Sequence, residues 1–354
     1  MRILLAALGV VLLSYQAGLI EHAFDRLWRP ENQTSLGFRL GAPWPTLVAV
    51  VEGTGLASGD RLMAVAGEPF EGTAQLDRAM ATRFPGDQMT VTVSRGGESR
   101  EVRWRLGRSE AGEVLWTRWL FVGVAAVAMP LLCLVIGVWT AWMRPRDGVA
   151  WLLLGMMASF AHALDLGEYA SSSMGMRVLH SFLALAWPVG MASFAWFFPV
   201  TLPLERRMPW LKYLVFGPVL GVAAAVGTMP YLEHAGSMGR AGILDGLYVL
   251  LGLRLPVQMA IVSLFFFLLG WKAGVVKDPD QRRRIRTILH GSGLALSPLL
   301  IALLARIFVG VESELGLAIA IVMMAGFPLT LGYVVLVQRA FGVGVVIRQG
   351  CNMR

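Results

Sequence analysis

Charged residues and cysteines are both scarce in this sequence of 354 residues. Charged residues make up 15% of the chain and hydrophobic residues 56%, whereas a typical soluble domain has about 25% charged residues. The mean hydropathy is correspondingly high, at +0.62. These values exclude an ordinary water-soluble protein and indicate a chain that resides in lipid.

The two cysteines are Cys133, inside an apolar run, and Cys351, near the last residue. This number and spacing exclude a disulfide framework and a C-x-x-C metal or redox site. The sequence also lacks H-E-x-x-H, G-x-x-x-x-G-K-[ST] and G-x-S-x-G, the patterns of zinc peptidases, nucleotide hydrolases and serine hydrolases. We therefore expect no enzyme activity, no cofactor and no metal site in this chain.

Eight hydrophobic stretches are long enough to cross a bilayer, whose core of about 30 Å needs about 20 apolar residues per helix. Because backbone polar groups cannot remain unpaired in lipid, each stretch is predicted to be helical. Six of them contain a proline, which is tolerated where a neighbouring helix satisfies the carbonyl group that it frees. The predicted spans are 3–20, 118–142, 149–166, 178–200, 210–229, 247–271, 287–309 and 315–338.

Lysine and arginine are distributed unevenly between the short loops, and cytoplasmic loops are the ones that carry an excess of them. The poorer set of loops holds only Arg177 and Arg240. Both termini are therefore predicted to be cytoplasmic, and residues 21–117 to lie outside. The net charge of +8 follows from the basic loops, so we expect no nucleic-acid partner. The richer set is Arg2, Arg144, Arg146, Arg206, Arg207, Lys212, Lys272, Lys277, Arg282, Arg283, Arg284, Arg286, Arg339, Arg348 and Arg354.

Between the first and second spans lies a segment with the pattern of a small soluble domain. "TLVAVVE" and "RLMAVAG" are rich in β-forming residues and are separated by the turn-forming "GTGLASGD". "TAQLDRAMATRF" has apolar residues at helical spacing, and "QMTVTVSRGGESREVRWRL" is typical of a hairpin around Gly96-Gly97. We therefore predict mixed strands with one helix.

This segment resembles a PDZ domain over about residues 33–106. The resemblance rests on "SLGF", then on the ordered string "GLASGDRLMAVAG", and on Arg95-Gly96-Gly97 downstream. It implies that the loop Ser35-Leu36-Gly37-Phe38 offers backbone N–H groups to a terminal carboxylate. It also implies that the strand Phe38-Arg39-Leu40 accepts a peptide as an added strand, and that Ala74 and Met80 shape the pocket. The segment between Glu52 and Leu56 is shorter than in most members, and the alternative is a domain that serves only as a rigid spacer.

The seven later spans resemble the membrane input modules of bacterial sensors, which precede a histidine kinase or a sporulation-type serine phosphatase. The similarity lies in "FFPVTLPLERR" and "GYVVLVQRAFGVGVVIRQG". Six residues follow Arg348, so we expect the catalytic output domain to be missing from this chain, and a kinase or phosphatase to be a fused or separate partner. The resemblance places the protein in a bacterial inner (cytoplasmic) membrane.

Ionisable residues inside predicted spans are hypotheses for a functional site. Arg254 is predicted to lie about 12 Å deep, eight residues into its span at about 1.5 Å per residue. A polar pocket in the bundle is one interpretation, with Arg254 pairing with Asp165 or Asp245; a structural ion pair and helix-end charges are the other. The pocket residues are Asp165, Glu168, Asp245, Arg254 and Arg306.

The sequence therefore predicts a multi-pass α-helical membrane protein with eight spans and one extracytoplasmic α+β domain of PDZ type. The predicted domains are an anchor at 1–24, the PDZ-like domain at 33–108, a seven-helix bundle at 116–340 and a cytoplasmic tail at 341–354. The predicted function is a sensor in which a bound peptide or protein C-terminus biases the bundle. The alternative is a membrane-anchored scaffold that recruits an envelope protein without signalling.

Overall fold

The chain is described here from a computed structural model. The described residues are 1–28, 34–80, 82–108, 119–120, 122–163, 174–201, 205, 207–235, 240–309 and 314–338.

Seven helices in these ranges are long and apolar enough to cross a membrane. Each spans 20 to 24 residues, or about 30 to 36 Å at about 1.5 Å per residue, which matches the hydrocarbon core of a bilayer. The chain is therefore a multi-pass α-helical membrane protein. The seven segments are Arg2–Glu21, Gly123–Met143, Met174–Phe197, Leu211–His234, Arg254–Val275, Pro279–Ala302 and Leu315–Val335.

The helices of the membrane part begin with α1, Arg2–Trp28. A π-helical segment, Val122–Ala128, leads into α3, Met129–Met143. After α12, the segment Tyr333–Gln338 is again π-helical. The others are α4 (Gly148–Phe160), α5 (Met174–Phe197), α6 (Leu211–Gly227), α7 (Met229–Ala235), α8 (Ala241–Gly252), α9 (Arg254–Val275), α10 (Pro279–Val309), α11 (Glu314–Met324) and α12 (Gly326–Gly332).

One predicted span differs from the structure, and another is described only in part. The stretch 149–166 contains α4, which has 13 residues and a length of only about 20 Å; residues 164–173 lie outside the described residues. The stretch 247–271 is divided at Leu253 between α8 and α9. Pro256 has no N–H to donate to the carbonyl of Gly252, so the helix breaks just before it. As a result, Arg254 is the first residue of a spanning helix and does not lie in its middle.

The bundle core is aromatic. Phe160, Phe194, Phe265 and Phe327 are fully buried, and the rings of Phe160 and Phe327 are 4.5 Å apart between centroids. Helices α4 and α5 approach closely at Gly190, where a Cβ atom would lie 2.9 Å from the Cα of Met156. Aromatic pairs and close helix contacts of this kind stabilise bundles in lipid, where apolar burial alone gives little preference.

One end of the bundle carries exposed aromatic side chains, as expected at a lipid–water boundary. They are Trp142 at the end of α3, Trp210 and Tyr213 at the start of α6, and Trp271 near the end of α9. The guanidinium of Arg2 lies 6.0 Å from the ring of Trp142, so the N-terminus is at this same end.

Residues 34–108 form the second part, which we call the sheet domain. Its strands are β1 (Thr34–Ser35), β2 (Phe38–Gly41), β3 (Thr46–Val50), β4 (Arg61–Val65), β5 (Glu68–Pro69), β6 (Gln88–Arg95), β7 (Glu98–Arg105) and β8 (Gly107–Arg108). The main sheet is antiparallel in the order β2-β3-β4-β6-β7, with β5 beside β4, and β1 and β8 form a separate two-stranded sheet. Helix α2, Thr73–Met80, lies between β5 and β6 in the chain.

The alternation of the sequence decides which side chains fill this domain. Met89, Val91 and Val93 of β6 are buried, while the residues between them are not, as a strand with one face on a core requires. Strands β6 and β7 pair from Arg95↔Glu98, with Gly96 and Gly97 both at positive φ. This turn confirms the predicted hairpin, because a two-residue turn of this type needs positive φ at both positions.

Candidate functional site

A cavity of about 440 Å³ lies where the sheet domain meets the bundle. One wall is formed by β2, the residues before it and α2. The other wall is formed by α5, α7 and α8, at the end of the bundle opposite to the exposed tryptophans. The site is therefore a cleft between two parts of the chain that are far apart in sequence.

Strand β2 borders this cavity as an edge strand. It pairs with β3 on one side, and no strand of the described residues pairs with its other side. Leu36, Phe38 and Leu40 line the cavity, together with Arg39. An unpaired strand edge presents backbone N–H and C=O groups that can take an additional strand, so this wall suits an extended chain.

Helix α2 faces β2 across a groove in this wall. Its lining residues are Thr73, Leu76 and Asp77, which share one helix face because they are three and four residues apart. Ala74 is half-buried, and Met80 packs against the core of the sheet domain. Neither Ala74 nor Met80 is among the residues that line the cavity.

The loop before β2 has a defined conformation. Gly37 has a φ of +72°, and a Cβ atom there would lie 3.1 Å from the side chain of Thr54. Its N–H donates to the hydroxyl of Ser35 at 3.2 Å. Glycine therefore suits this position both by its backbone angle and by the limited space.

The sheet domain is attached to α8 through Trp44, which follows β2. The backbone N–H of Trp44 donates to the carboxylate of Asp245 at 2.7 Å. The Trp44 ring stacks on Tyr248 with centroids 6.2 Å apart, and Leu244 is fully buried in the core of the sheet domain. One face of α8 thus completes the core of a domain that precedes it by more than a hundred residues.

A second attachment joins α2 to α5 and α7. Asp77 accepts a hydrogen bond from Arg177 at 3.2 Å and lies 3.7 Å from Nδ1 of His234. The side chains of Arg177 and Asp77 are 20% and 40% exposed, so water reaches this pair. A half-exposed pair of this type contributes little stability but can set the orientation of two surfaces.

Tyr248 connects the two walls directly. Its hydroxyl donates to the carboxylate of Glu233 at 2.7 Å and lies 3.5 Å from the carbonyl oxygen of Leu40 on β2. Glu233 and Tyr248 both line the cavity. An added strand on β2 would need the position that the Tyr248 hydroxyl holds.

Two histidines and a tyrosine lie behind the cavity in the bundle. His180 lines the cavity, and its Nδ1 shares a hydrogen bond of 2.8 Å with the hydroxyl of Tyr15 on α1. The rings of His162 and His180 are 5.6 Å apart, and Nε2 of His162 is buried without a hydrogen-bond partner among the described residues. This cluster links the cavity to the first helix.

The structure describes the side chains of two of the predicted pocket residues. Asp245 binds Trp44 at the cleft, whereas Arg254 lines a different cavity, between α5, α6, α8 and α9. Asp165 and Glu168 lie outside the described residues, as does the side chain of Arg306. Within the ranges that the structure describes, no three His, Cys, Asp or Glu side chains are grouped as metal ligands.

Asp60, in the string "GLASGDRLMAVAG", pairs with Arg95 of the downstream hairpin inside the sheet domain. The carboxylate of Asp60, 1% exposed, accepts hydrogen bonds of 2.7 Å from both Nε and Nη2 of Arg95 and one of 2.8 Å from the N–H of Ala57. The Arg95 guanidinium holds the pKa of Asp60 below its ordinary value. The pair fastens the turn between β3 and β4 to the β6–β7 hairpin.

Several functional candidates were missed by sequence reasoning: Trp44, Asp77, Arg177, Glu233 and Tyr248. A signal was present in "AGILDGLYVLLG", where Asp245 and Tyr248 are three residues apart on one face of an apolar helix. No family model, curated protein or solved structure matches this chain.

Proposed function

We propose that this chain is a membrane receptor whose sheet domain, of PDZ type, binds an extended peptide or a protein C-terminus between β2 and α2. The bound segment biases the arrangement of the transmembrane helices. The observation that carries this proposal is the cavity with two walls: β2 and α2 on one side, and α5, α7 and α8 on the other.

The first argument is the chemistry of the groove. Peptides that add a strand to a sheet edge gain affinity from backbone hydrogen bonds and specificity from pockets for alternate side chains. Strand β2 offers the unpaired edge, and Leu36, Phe38 and Leu76 offer apolar surface beside it. The resemblance to PDZ domains in "SLGF" points to the same groove.

The second argument is the second wall. A ligand shifts a conformational equilibrium only through its different affinity for the two states. A strand added to β2 competes with the Tyr248 hydroxyl for the Leu40 carbonyl and lies beside Arg177 and Glu233 of the bundle. The affinity of the added strand is therefore different when the sheet domain contacts the bundle and when it does not. This difference favours a receptor over a scaffold.

The proposed topology follows from the contacts between helix ends. Arg2 lies near the end of α3, and Tyr15 near the start of α5. The chain must cross back between the end of α3 and the start of α5, and α4 packs against both of these helices. We infer that the predicted stretch 149–166, which contains α4, is an eighth crossing. The basic loops place the termini in the cytoplasm and the sheet domain outside, in a bacterial inner membrane. The output is a fused or separate cytoplasmic kinase or phosphatase.

The test uses the full-length protein in lipid nanodiscs and a library of random heptapeptides with free C-termini. We expect selected peptides to bind the wild type and to lose binding to Thr73→Trp, which fills the groove. Arg78→Trp, on the exposed face of the same helix, is the matched control and should bind as the wild type does. If no peptide is selected, or if both variants bind equally, the groove is only an internal interface.

A second measurement distinguishes receptor from scaffold. Spin labels at Val48 and Tyr231, both exposed, report the distance between the sheet domain and α7 after Cys133 and Cys351 are replaced by serine. A shift of the distance distribution with a selected peptide supports the receptor. Binding without a shift would leave the scaffold as the better explanation.

A further inference from the structure

One face of α10 is exposed from Arg283 to Leu304. Along this length an exposed residue recurs every three or four positions, which places these residues in a single stripe on the helix. Residues on the opposite side, such as Ile285, Ile288 and Ala295, are buried in the bundle. We call the exposed stripe the α10 face. It consists of Arg283, Arg286, His290, Leu294, Ser297, Ile301 and Leu304.

The α10 face changes in character along the helix. Its first part is polar, with Arg283, Arg286 and His290 exposed. Its second part is mostly apolar, with Leu294 66% and Ile301 65% exposed. Leu294 lies about 12 Å beyond Arg286 along the helix axis, at about 1.5 Å per residue. The hydrocarbon of one bilayer leaflet is about 15 Å thick, so the order of groups on this face follows that of a phospholipid.

The polar part begins at the lipid–water boundary. Helices α9 and α10 contact each other and are joined by a turn in which the Arg282 guanidinium donates to the carbonyl of Val276 at 2.8 and 3.0 Å. Trp271, 41% exposed, lies four residues before the end of α9, and Arg283 lies four residues after the start of α10. Arg283 is therefore at about the level of this tryptophan, and Arg286 is about 4.5 Å further along the helix.

The two exposed guanidinium groups of the α10 face have no protein acceptor in the part of the chain that the structure describes. Neither Arg283 nor Arg286 takes part there in a side-chain hydrogen bond or an ion pair. The carboxylates that precede them are Asp278 and Asp280 in the turn, where Asp278 accepts a hydrogen bond from the N–H of Asp280 at 3.0 Å. From residue 281 to 304 the sequence has no acidic residue. The face therefore presents a net positive charge.

The apolar part determines which partner covers the face. Leu294 and Ile301 belong to a helix that is long and apolar enough to cross a membrane, where a water-soluble acidic protein does not reach them. A second copy of the chain on the same face would bring Arg283 and Arg286 close to their own counterparts, and like charges repel. A phosphate accepts charge-assisted hydrogen bonds from guanidinium groups, and an acyl chain covers leucine and isoleucine.

We propose that the α10 face binds an anionic phospholipid of the bilayer, with its phosphate at Arg283 and Arg286 and one acyl chain along Leu294 and Ile301. His290, about one turn beyond Arg286, supplies a ring N–H for a further oxygen of the head group. The site lies at the end of the bundle opposite to the peptide groove and shares no lining residue with it. Lipid binding here is therefore independent of the proposed peptide binding.

The test is photolabelling of the full-length protein in phosphatidylcholine nanodiscs. Two probes carry a diazirine in one acyl chain: phosphatidylglycerol, which is anionic, and phosphatidylcholine, which has the same phosphate but no net charge. Labelling of residues 290–304 is measured relative to that of α3, whose Val135 is 59% exposed. We expect the relative labelling by phosphatidylglycerol to be about tenfold higher or more, because each arginine near an anionic surface increases affinity about fivefold.

Charge variants separate this site from the general attraction of a basic surface. Arg283→Gln combined with Arg286→Gln should lower labelling by phosphatidylglycerol to the level of phosphatidylcholine. Arg146→Gln combined with Arg207→Gln removes two exposed positive charges at the same end of the bundle and should label as the wild type does. Labelling by phosphatidylcholine should be the same in all three proteins, as expected for intact bundles.

Three results would overturn the proposal. The first is equal relative labelling of the wild type by the two probes. The second is full labelling by phosphatidylglycerol after the loss of Arg283 and Arg286. The third is an equal decrease in both double variants, which would mean that only the total charge of this end matters.

Discussion

The side-chain amide of Gln258 on α9 donates to the carbonyl of Ala184 on α5 at 3.2 Å. This carbonyl lacks its helical donor because Pro188 stands four residues further on. Proline inside a transmembrane helix is tolerated when another group satisfies the freed carbonyl. Here one identified side chain of a neighbouring helix does so.

The first prediction follows from this pair. Gln258→Leu should destabilise the protein by about 1 kcal/mol, a typical value for a hydrogen bond between transmembrane helices. In a Pro188→Ala background the loss should be much smaller, because the alanine N–H restores the backbone donor. Reversible unfolding in mixed micelles measures all four proteins of the cycle. An equal loss in both backgrounds would show that Gln258 acts through packing alone.

The second prediction concerns Lys272, a residue that is 4% exposed. It donates to the carbonyls of Ala195, Trp196, Phe198 and Val200 at 2.5 to 3.1 Å, at the end of α5 where backbone acceptors have no helical donor. Lys272→Met should destabilise the protein by about 2–3 kcal/mol, since buried acceptors are then unsatisfied.

The measurement for Lys272 is thermal unfolding in nanodiscs. Lys277→Met, on an exposed basic residue after α9, is the control for loss of a positive charge and should change stability little. If the two variants unfold at the same temperature, the charge of Lys272 acts only as part of the basic loop.

The third prediction concerns the attachment of the sheet domain. Asp245→Leu removes the acceptor for the Trp44 N–H, a hydrogen bond to a charged group worth about 1.5–3 kcal/mol. The distance distribution between spin labels at Val48 and Tyr231 should broaden. Asp245→Asn keeps an acceptor oxygen and should stay close to the wild type. Broadening of equal size in both variants would mean that the negative charge, and not the hydrogen bond, holds the domain.

The fourth prediction is a pH dependence. The hydrogen bonds from Arg95 hold the pKa of Asp60 below its ordinary value, so the folded domain binds a proton less readily than the unfolded chain. The stability that the pair contributes is fully present above about pH 4, the ordinary carboxyl value. It is lost as the pH falls through the lower folded pKa.

Hydrogen exchange of the full-length protein, followed over residues 46–65, measures this effect. Protection should decrease as the pH is lowered below about 4, after correction for the intrinsic exchange rate. Asp60→Asn should be less protected at neutral pH and should lack this decrease. A variant with the pH profile of the wild type would contradict the assignment.

The local pattern of the sequence determined much of the fold. Eight apolar stretches predicted spanning helices, and seven helices of sufficient length lie in the described residues at corresponding positions. The alternating pattern on both sides of Gly96-Gly97 predicted the hairpin that strands β6 and β7 form. Hydropathy and alternation act over a few residues, so they can be read without knowledge of neighbours. The prediction was wrong for the span 247–271, which is divided at Leu253. The physical cause of the break is Pro256, a residue that lies within that predicted span.

The tertiary structure alone decided which polar residues meet. Lys272, counted in the sequence among the basic loop residues, binds four carbonyls of α5, and Asp77 meets Arg177 a hundred positions later. Asp245 accepts a hydrogen bond from Trp44 of the sheet domain, whereas Arg254 borders a cavity between spanning helices. A sequence pattern specifies which residues are apolar and where helices form. Which polar residues pair across such long sequence separations depends on how the helices pack. No local repeat of apolar and polar residues encodes that packing.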